Sequence, residues 1–133
     1  MKALPLRLRP GDDLRRSIET AVIQHGADAA FVLSGIGSLA HARLRLAGEN
    51  APRDHAAPLE LLTLAGSIGN GTSHLHAAIA TAAGDVIGGH VAYGCTVRTT
   101  AELLLVLLDE FTFSRAPDAA TGFDELVIET PRR

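Results

Sequence analysis

The 133-residue chain holds no tryptophan, a single cysteine, and aromatic residues at only 4% of its length. With one thiol, Cys95, no intramolecular disulfide can form, so the fold does not depend on oxidation. No apolar run approaches the ~18 residues needed to span a bilayer; the longest, residues 103–108, is far shorter. The chain opens with alternating charge rather than a charged-then-apolar leader, which leads us to expect a soluble cytoplasmic protein. Excess positive charge is missing too. A net charge of −3 argues against strong nucleic-acid binding, which depends on Lys and Arg neutralising phosphates. Arg7, Arg9, Arg15 and Arg16 form a local basic cluster near the start.

What is present is aliphatic. Hydrophobic residues make up 47% of the sequence, and a core of Leu, Val, Ile and Ala within one domain over residues 1–133 is expected. Leu4, Leu6 and Leu8 alternate with Arg7 and Arg9, predicting a strand that stops at Pro10-Gly11. Asp12 or Asp13 then caps a helix whose apolar stripe is Leu14, Ile18, Ala21, Val22 and His25, with Arg15, Arg16 and Glu19 outside. Gly26 ends it. Residues 29–33 read as a buried strand, and Gly35 and Gly37 mark a bulge or a close backbone approach. Residues 40–46 alternate as a half-wet strand, and residues 48–58, with two prolines, read as a loop.

Further strands are expected at 59–65, 74–81, 86–97 and 103–108, the last continued by 109–116 with Phe111 and Phe113 on one side. A final strand covers 123–129. One helix packed on a mostly antiparallel sheet of about seven or eight strands makes the fold class α+β.

The informative stretch is the glycine-rich segment 66–76 followed by Gly88-Gly89-His90. In a strand, His74 and His76 point the same way, roughly 7 Å apart along the backbone. Their apolar alternates Leu75, Ala77 and Ile79 define one face, and Ile87, Val91 and Tyr93 define one face of the next strand. If those apolar faces coincide, His90 joins His74 and His76 on the opposite face. A hairpin loop of three or five residues sets His76 directly opposite His90, with Cβ atoms about 5 Å apart. Gly88, Gly89 and Ala92 then leave room beside the imidazoles. Three neutral imidazoles with one coordination position open suit a divalent metal such as zinc. Half-exposed hydrogen-bonding histidines are the plainer alternative. No acidic residue is placed as a general base, Asp85 and Glu102 being near only in sequence.

Other motifs carry less. Gly66-x-x-Gly69-x-Gly71 lacks the Gly-Lys-Ser/Thr ending and precedes a strand, so a connecting turn is its expected role. Ser34 and Ser67 are not in a nucleophile elbow, and Cys95 reads as a buried small hydrophobe. Arg115 and Asp118 precede Thr121-Gly122, which fits equally a turn held by a local ion pair or a subunit contact.

Taken together, Leu33-Ser34-Gly35-Ile36-Gly37-Ser38-Leu39, Leu59-Glu60-Leu61-Leu62-Thr63-Leu64-Ala65-Gly66-Ser67-Ile68, His74-Leu75-His76-Ala77, Gly84-Asp85-Val86-Ile87-Gly88-Gly89-His90, Thr100-Ala101-Glu102 and Arg115-x-x-Asp118-x-x-Thr121-Gly122-Phe123-x-Glu125-Leu126 resemble the PPC domain, also written PCC (plants and prokaryotes conserved). The likeness runs nearly end to end. It implies a small α+β domain, carried alone by bacteria and archaea and behind AT-hook motifs by plants. It further implies a homotrimer, a metal site at His74, His76 and His90, and interface or structural roles for Glu60, Arg115, Asp118 and Gly122. The family is commonly called DNA-binding, but the plant AT-hook Arg-Gly-Arg-Pro is absent: this chain has Arg7-Leu8-Arg9-Pro10 inside a predicted strand. Three functional expectations follow. They are a trimeric metal-binding module that could take a small-molecule ligand or act as a metal-dependent enzyme, a DNA-associated protein using Arg7, Arg9, Arg43 and Arg45, and an assembly scaffold.

Overall fold

Alternation of aliphatic with small or polar residues dominates the chain, and it folds accordingly into strands around one short helix. In the computed structural model, which describes residues 1–130, the elements run β1 (Lys2–Leu8), α1 (Leu14–Gln24), β2 (Ala29–Arg45), β3 (Arg53–Gly69), β4 (Thr72–Thr81), β5 (Val86–Val91), β6 (Thr96–Leu107), β7 (Thr112–Pro117) and β8 (Asp124–Glu129). Every pairing is antiparallel. The expected class holds, with one difference: the strands form two sheets, a six-stranded one in the order β1-β6-β2-β3-β4-β5 and a separate β7–β8 hairpin.

The long strand β2 organises the large sheet. It pairs with β3 on one side and β6 on the other, and its last residues, Leu44 and Arg45, also pair with Val91 and His90 of β5. That contact closes β2, β3, β4 and β5 into a ring and leaves few unpaired edges. A strand can serve three partners only if it bends. Register shifts between Val32 and Ser34, Gly37 and Leu39, and Leu39 and His41 supply the bends, in and beside the segment where the two glycines point to a bulge.

Helix α1 starts where the carboxylate of Asp13 accepts from the backbone N–H of Arg16 at 2.9 Å. Gly26, at φ 66°, follows its end. Leu14, Ile18, Ala21 and Val22 are buried and close one side of the core, together with Leu39, Leu44, Ile68, Leu75, Ile79, Val91, Val97 and Leu105. Two side chains of the expected helix faces change places. His25 is exposed and caps the helix end, Nδ1 2.8 Å from the Ala21 carbonyl oxygen, while Glu19 is buried.

Residues 29–33 and 40–46, expected as separate strands, merge into one strand, β2, and its start alternates instead of being buried throughout, with Phe31 and Leu33 exposed. Three other boundaries also differ from expectation. Residues 53–58 are strand, not loop, because Arg53, Asp54, His55 and Ala56 pair with β2; Pro58 falls at the register shift, where a missing N–H is tolerated. Residues 86–97 break into two strands at Ala92–Cys95, a turn fixed by the Asp13 carboxylate accepting from the Gly94 N–H at 2.7 Å. The chain also turns after Leu107 instead of running on, with the Phe111 N–H donating to the Leu108 carbonyl at 3.0 Å. Beyond the turn Phe113 is buried and meets Phe31 edge to face at 5.5 Å, which folds the β7–β8 hairpin back over the outer face of β2 and β3.

Candidate metal centre

Strand β3 turns into β4 through Asn70 and Gly71, both at positive φ (50° and 74°), as a tight two-residue hairpin requires. Only the end of the glycine-rich motif is the expected turn, since Gly66 and Gly69 are paired residues of β3. One of its glycines also sets how closely the strands approach. A side-chain carbon on Gly66 would stand 2.0 Å from the His74 carbonyl oxygen, so β3 and β4 could not keep this register.

That register decides what the histidines meet. Leu75, Ala77 and Ile79 are buried, so His74 and His76 face outward. Across the next hairpin Ile79 pairs with Ile87, Ala77 with Gly89, and His76 with His90, as the parity of the two strands predicts. On the other sides Ser67 of β3 lies opposite His74, and Arg45 of β2 lies opposite His90. The three ring centroids are 4.8 Å (His74–His76), 5.1 Å (His74–His90) and 5.8 Å (His76–His90) apart. One nitrogen from each ring lies within 4.8 Å of the other two, and Nε2 of His74 is 3.0 Å from Nε2 of His76. Zinc–imidazole bonds of about 2.0–2.1 Å in a tetrahedron place ligand nitrogens about 3.3 Å apart, so small side-chain rotations suffice.

The chemistry of the cluster fits a cation. Nδ1 of His90 is buried without a hydrogen-bond partner. Burial first, then the neighbouring His74 and Arg45, push the His90 pKa down to about 4. His74 is lowered as well, by burial and then by His76 and Arg115. Both imidazoles are thus neutral near pH 7, the form that ligates metal.

The glycines beside the cluster serve two ends. Added side-chain carbons at Gly88 and Gly89 would meet the Ala77 and Arg45 carbonyl oxygens at 2.9 Å and 2.7 Å. They admit neighbouring backbone, letting β5 sit tightly between β4 and β2. They also leave room as expected: a cleft of about 290 Å³ is lined by Gly88, Gly89, His76, His90 and Arg45. A cleft of about 470 Å³ has His74, His90, Arg45, Arg115 and Phe123 in its walls, and a smaller one of about 180 Å³ joins His74 and His76 to Phe31.

Of the other predicted residues Arg115 lines the histidine cleft, and Glu60, Asp118 and Gly122 do not. Arg115 forms no ion pair with Asp118 among the described residues; its guanidinium instead donates to Ser67 Oγ at 3.1 Å. Asp118 holds its own turn, accepting at Oδ1 from the Ala120 N–H and at its carbonyl from the Gly122 N–H, with Gly122 at φ 78°. Glu60 is exposed on β3, in a second cleft with Arg98 and Glu102. Asp85 lies in the β4–β5 turn, and Glu102 sits opposite Arg7 on β6, so neither reaches the histidines. Cys95 is buried, and burial raises its thiol pKa. Arg7 and Arg9 belong to the region of β1, whereas Arg43 and Arg45 stand at the far end of β2, where Arg43 is 3.6 Å from Asp54.

Sequence reasoning missed a polar network on the opposite side of β4. Buried Glu19 accepts at Oε1 from Ser73 Oγ (2.6 Å) and Arg15 Nε (3.1 Å), and at Oε2 from the Tyr93 hydroxyl (2.7 Å). The Arg15 guanidinium also donates to the carbonyls of Ser73 (2.9 Å) and Val91 (3.3 Å). Ser73 adjoins His74 and Val91 adjoins His90, so the network holds the two strands that carry them. The only signal for it in the sequence is the Arg15–Glu19 spacing of four.

Fold and site together describe a small antiparallel α+β domain with a histidine cluster on its outer sheet face. The family model of the Plants and Prokaryotes Conserved (PCC) domain matches residues 1–109, and the chain belongs to that family. It is 45% identical over 129 residues to a protein of Synechococcus sp. (strain JA-2-3B'a(2-13)) named bifunctional protein GlmU; the match takes in 97% of this chain but spans only about a fifth, 20%, of that relative. A hypothetical protein from Salmonella cholerae-suis has the same structure at TM-score 0.95, with 37% identity over 98% of this chain and 95% of that one. The metal-containing protein AF0104 from Archaeoglobus fulgidus follows at TM-score 0.80 and 29% identity, over 96% and 94% of the two chains.

Proposed function

We propose that the chain is a metal-binding module in which His74, His76 and His90 hold one divalent cation, zinc by preference, in a protein that assembles as a homotrimer. The observation that carries the reading is the convergence of three imidazole nitrogens within 4.8 Å on a face where the buried Nδ1 of His90 lacks any partner. Imidazole is a borderline ligand that suits zinc, and three of them with no carboxylate or thiolate leave a position for a further ligand. The likeness to an archaeal protein described as metal-containing supports the same reading.

Assembly is supported by the row of residues leading away from the site. Val106, Phe31, Ser67 and His74 are direct cross-strand partners on β6, β2, β3 and β4 and so share one face. On this part of β2 Phe31 is 40% and Leu33 65% exposed, adjacent apolar surface of the kind that self-association covers.

Metal analysis of protein made without a histidine tag tests the first part: about one zinc per chain is expected, and a value near zero after reconstitution with zinc removes the reading. Light scattering tests the second, a monomer mass counting against it. A DNA-associated role would show as duplex retardation that falls steeply with salt. The arginines invoked for it are spread along the sheet, so little retardation by a single copy is expected.

A further inference from the structure

We propose that the cleft beside the histidines binds a small organic anion, its carboxylate or phosphate group held by Arg45 and Arg115 while an oxygen of the same molecule reaches the cation; this rests on the metal reading above.

Two strands deliver the arginines. Arg45 is the direct cross-strand partner of His90, and Arg115 donates to the hydroxyl of Ser67, itself the cross-strand partner of His74. The Arg45 backbone is thus one strand step from that of His90, the Arg115 guanidinium sits on the strand neighbour of His74, and both residues line the cleft of about 470 Å³ that His74 and His90 also line. Neither is neutralised. Among the described residues no carboxylate lies within ion-pair distance of Arg45 or Arg115; their side chains donate only to the Glu49 carbonyl, at 3.3 Å from Arg45, and to the Ser67 hydroxyl from Arg115. Each keeps N–H donors free, in the planar fork that matches a carboxylate or phosphate.

Charge balance points the same way. Asp124 and Glu125 also line the cleft, and Glu125 Oε1 accepts from the Thr121 hydroxyl at 2.9 Å. A divalent ion on three neutral imidazoles, together with two guanidiniums, outweighs these two carboxylates, so the loaded cleft is positive and draws an anion. Its volume falls within the roughly 300–1,000 Å³ usual for small-molecule sites. Phe123, 73% exposed, offers an apolar wall for the rest of the molecule.

The test uses tag-free full-length protein loaded with cobalt(II), whose visible absorption reports its coordination. Inorganic phosphate and succinate are the two probes, separating the two anion chemistries. At least one should shift the cobalt bands saturably and reversibly. Arg45→Gln and Arg115→Gln should each weaken that titration by about tenfold, as loss of a charge-assisted bidentate contact does, with cobalt stoichiometry unchanged. Circular dichroism checks the fold of the variants, and the wild-type titration stands without them. With cobalt bound, bands unmoved by both probes overturn the proposal, as do variants that titrate like wild type. Failure to take up cobalt is a different result, against the metal reading; calorimetry of the metal-free protein with both probes then decides. Anion binding weakened by the arginine substitutions sustains the cleft's role, and no binding ends it.

Discussion

Ser73 and His74 are neighbours on β4 and serve two polar clusters on opposite faces of one strand. On the inner face Ser73 joins Glu19, Arg15 and Tyr93 in a closed network: both oxygens of the buried carboxylate are engaged, and Arg15 is further tied to two backbone carbonyls. On the outer face His74 joins His76 and His90 in an open cluster, which leaves Nδ1 of His90 buried and unpaired and sets like groups against one another. A buried polar group without a partner destabilises the fold by about 1–3 kcal/mol unless water or a ligand meets it. His55 Nε2 and Thr81 Oγ1 share this condition, and His90 differs in standing beside two further imidazoles. The closed network is what fold maintenance needs. The open one is what ligand binding needs, and it stands on strands that the closed one braces.

The comparison breaks first at Glu19. Glu19→Ala leaves the Arg15 charge without its carboxylate in a site whose side chains are 15% and 8% exposed. Only the Ser73 and Val91 carbonyls and the Ser73 hydroxyl then hold it, and removal of one member of a buried pair costs about 3–5 kcal/mol. Denaturant unfolding should show a loss of that order, a large fraction of the stability of a small domain. A loss under about 1 kcal/mol would mean that the network is not structural. His90→Ala is the converse. It removes an unsatisfied group, so metal-free stability should change by less than about 1 kcal/mol. Metal affinity should fall by at least about a hundredfold, beyond the tenfold to hundredfold typical of residues that only support ligands. Chelator competition measures the second effect. A His90→Ala protein that keeps wild-type affinity would remove His90 from the site.

Much of this was legible in the sequence, because period-two patterns fix which face a side chain takes. The His76–His90 pairing follows from the apolar residues between them and the length of one hairpin, both local features. The resemblance to the PCC family adds the same three histidines by another route. What the sequence conceals depends on strands far apart in the chain. Glu19 sits among the charged residues of α1 and is buried only because Ser73 and Tyr93, more than fifty residues away, complete its shell. Arg45 and Arg115 reach the histidine cleft only through β2–β5 closure and the fold-back of β7 and β8, neither of which leaves a periodic signal. The strand at residues 53–58 was hidden by the prolines at its ends, whose tolerance depends on the partner strand.

A milder perturbation sharpens the contrast. Tyr93→Phe deletes one donor to Glu19 Oε2 and keeps the ring under the Arg15 guanidinium, 4.3 Å from its centroid. A hydrogen bond to a charged group contributes about 1.5–3 kcal/mol when fully buried. Tyr93 is 39% exposed, so water can replace the hydroxyl, and a loss of about 1 kcal/mol is expected by thermal or denaturant unfolding.

The smallest effect distinguishes the clusters by their response to protons. His90 has its folded-state pKa lowered to about 4 from 6.5, and His74 is lowered too. For a base whose folded pKa lies below its unfolded one, the unfolded chain takes up protons first as pH falls. The stability of the metal-free protein should therefore decline between about pH 6.5 and pH 4 and stop responding to His90 below that. Partial solvent exposure of both rings keeps the decline modest. Replacing His90 by Gln should flatten this part of the profile, whereas Tyr93→Phe should displace the whole curve without changing its slope there. If the His90→Gln profile keeps the wild-type slope, proton uptake in this range belongs to other groups, and the open cluster does not disfavour protonation of His90.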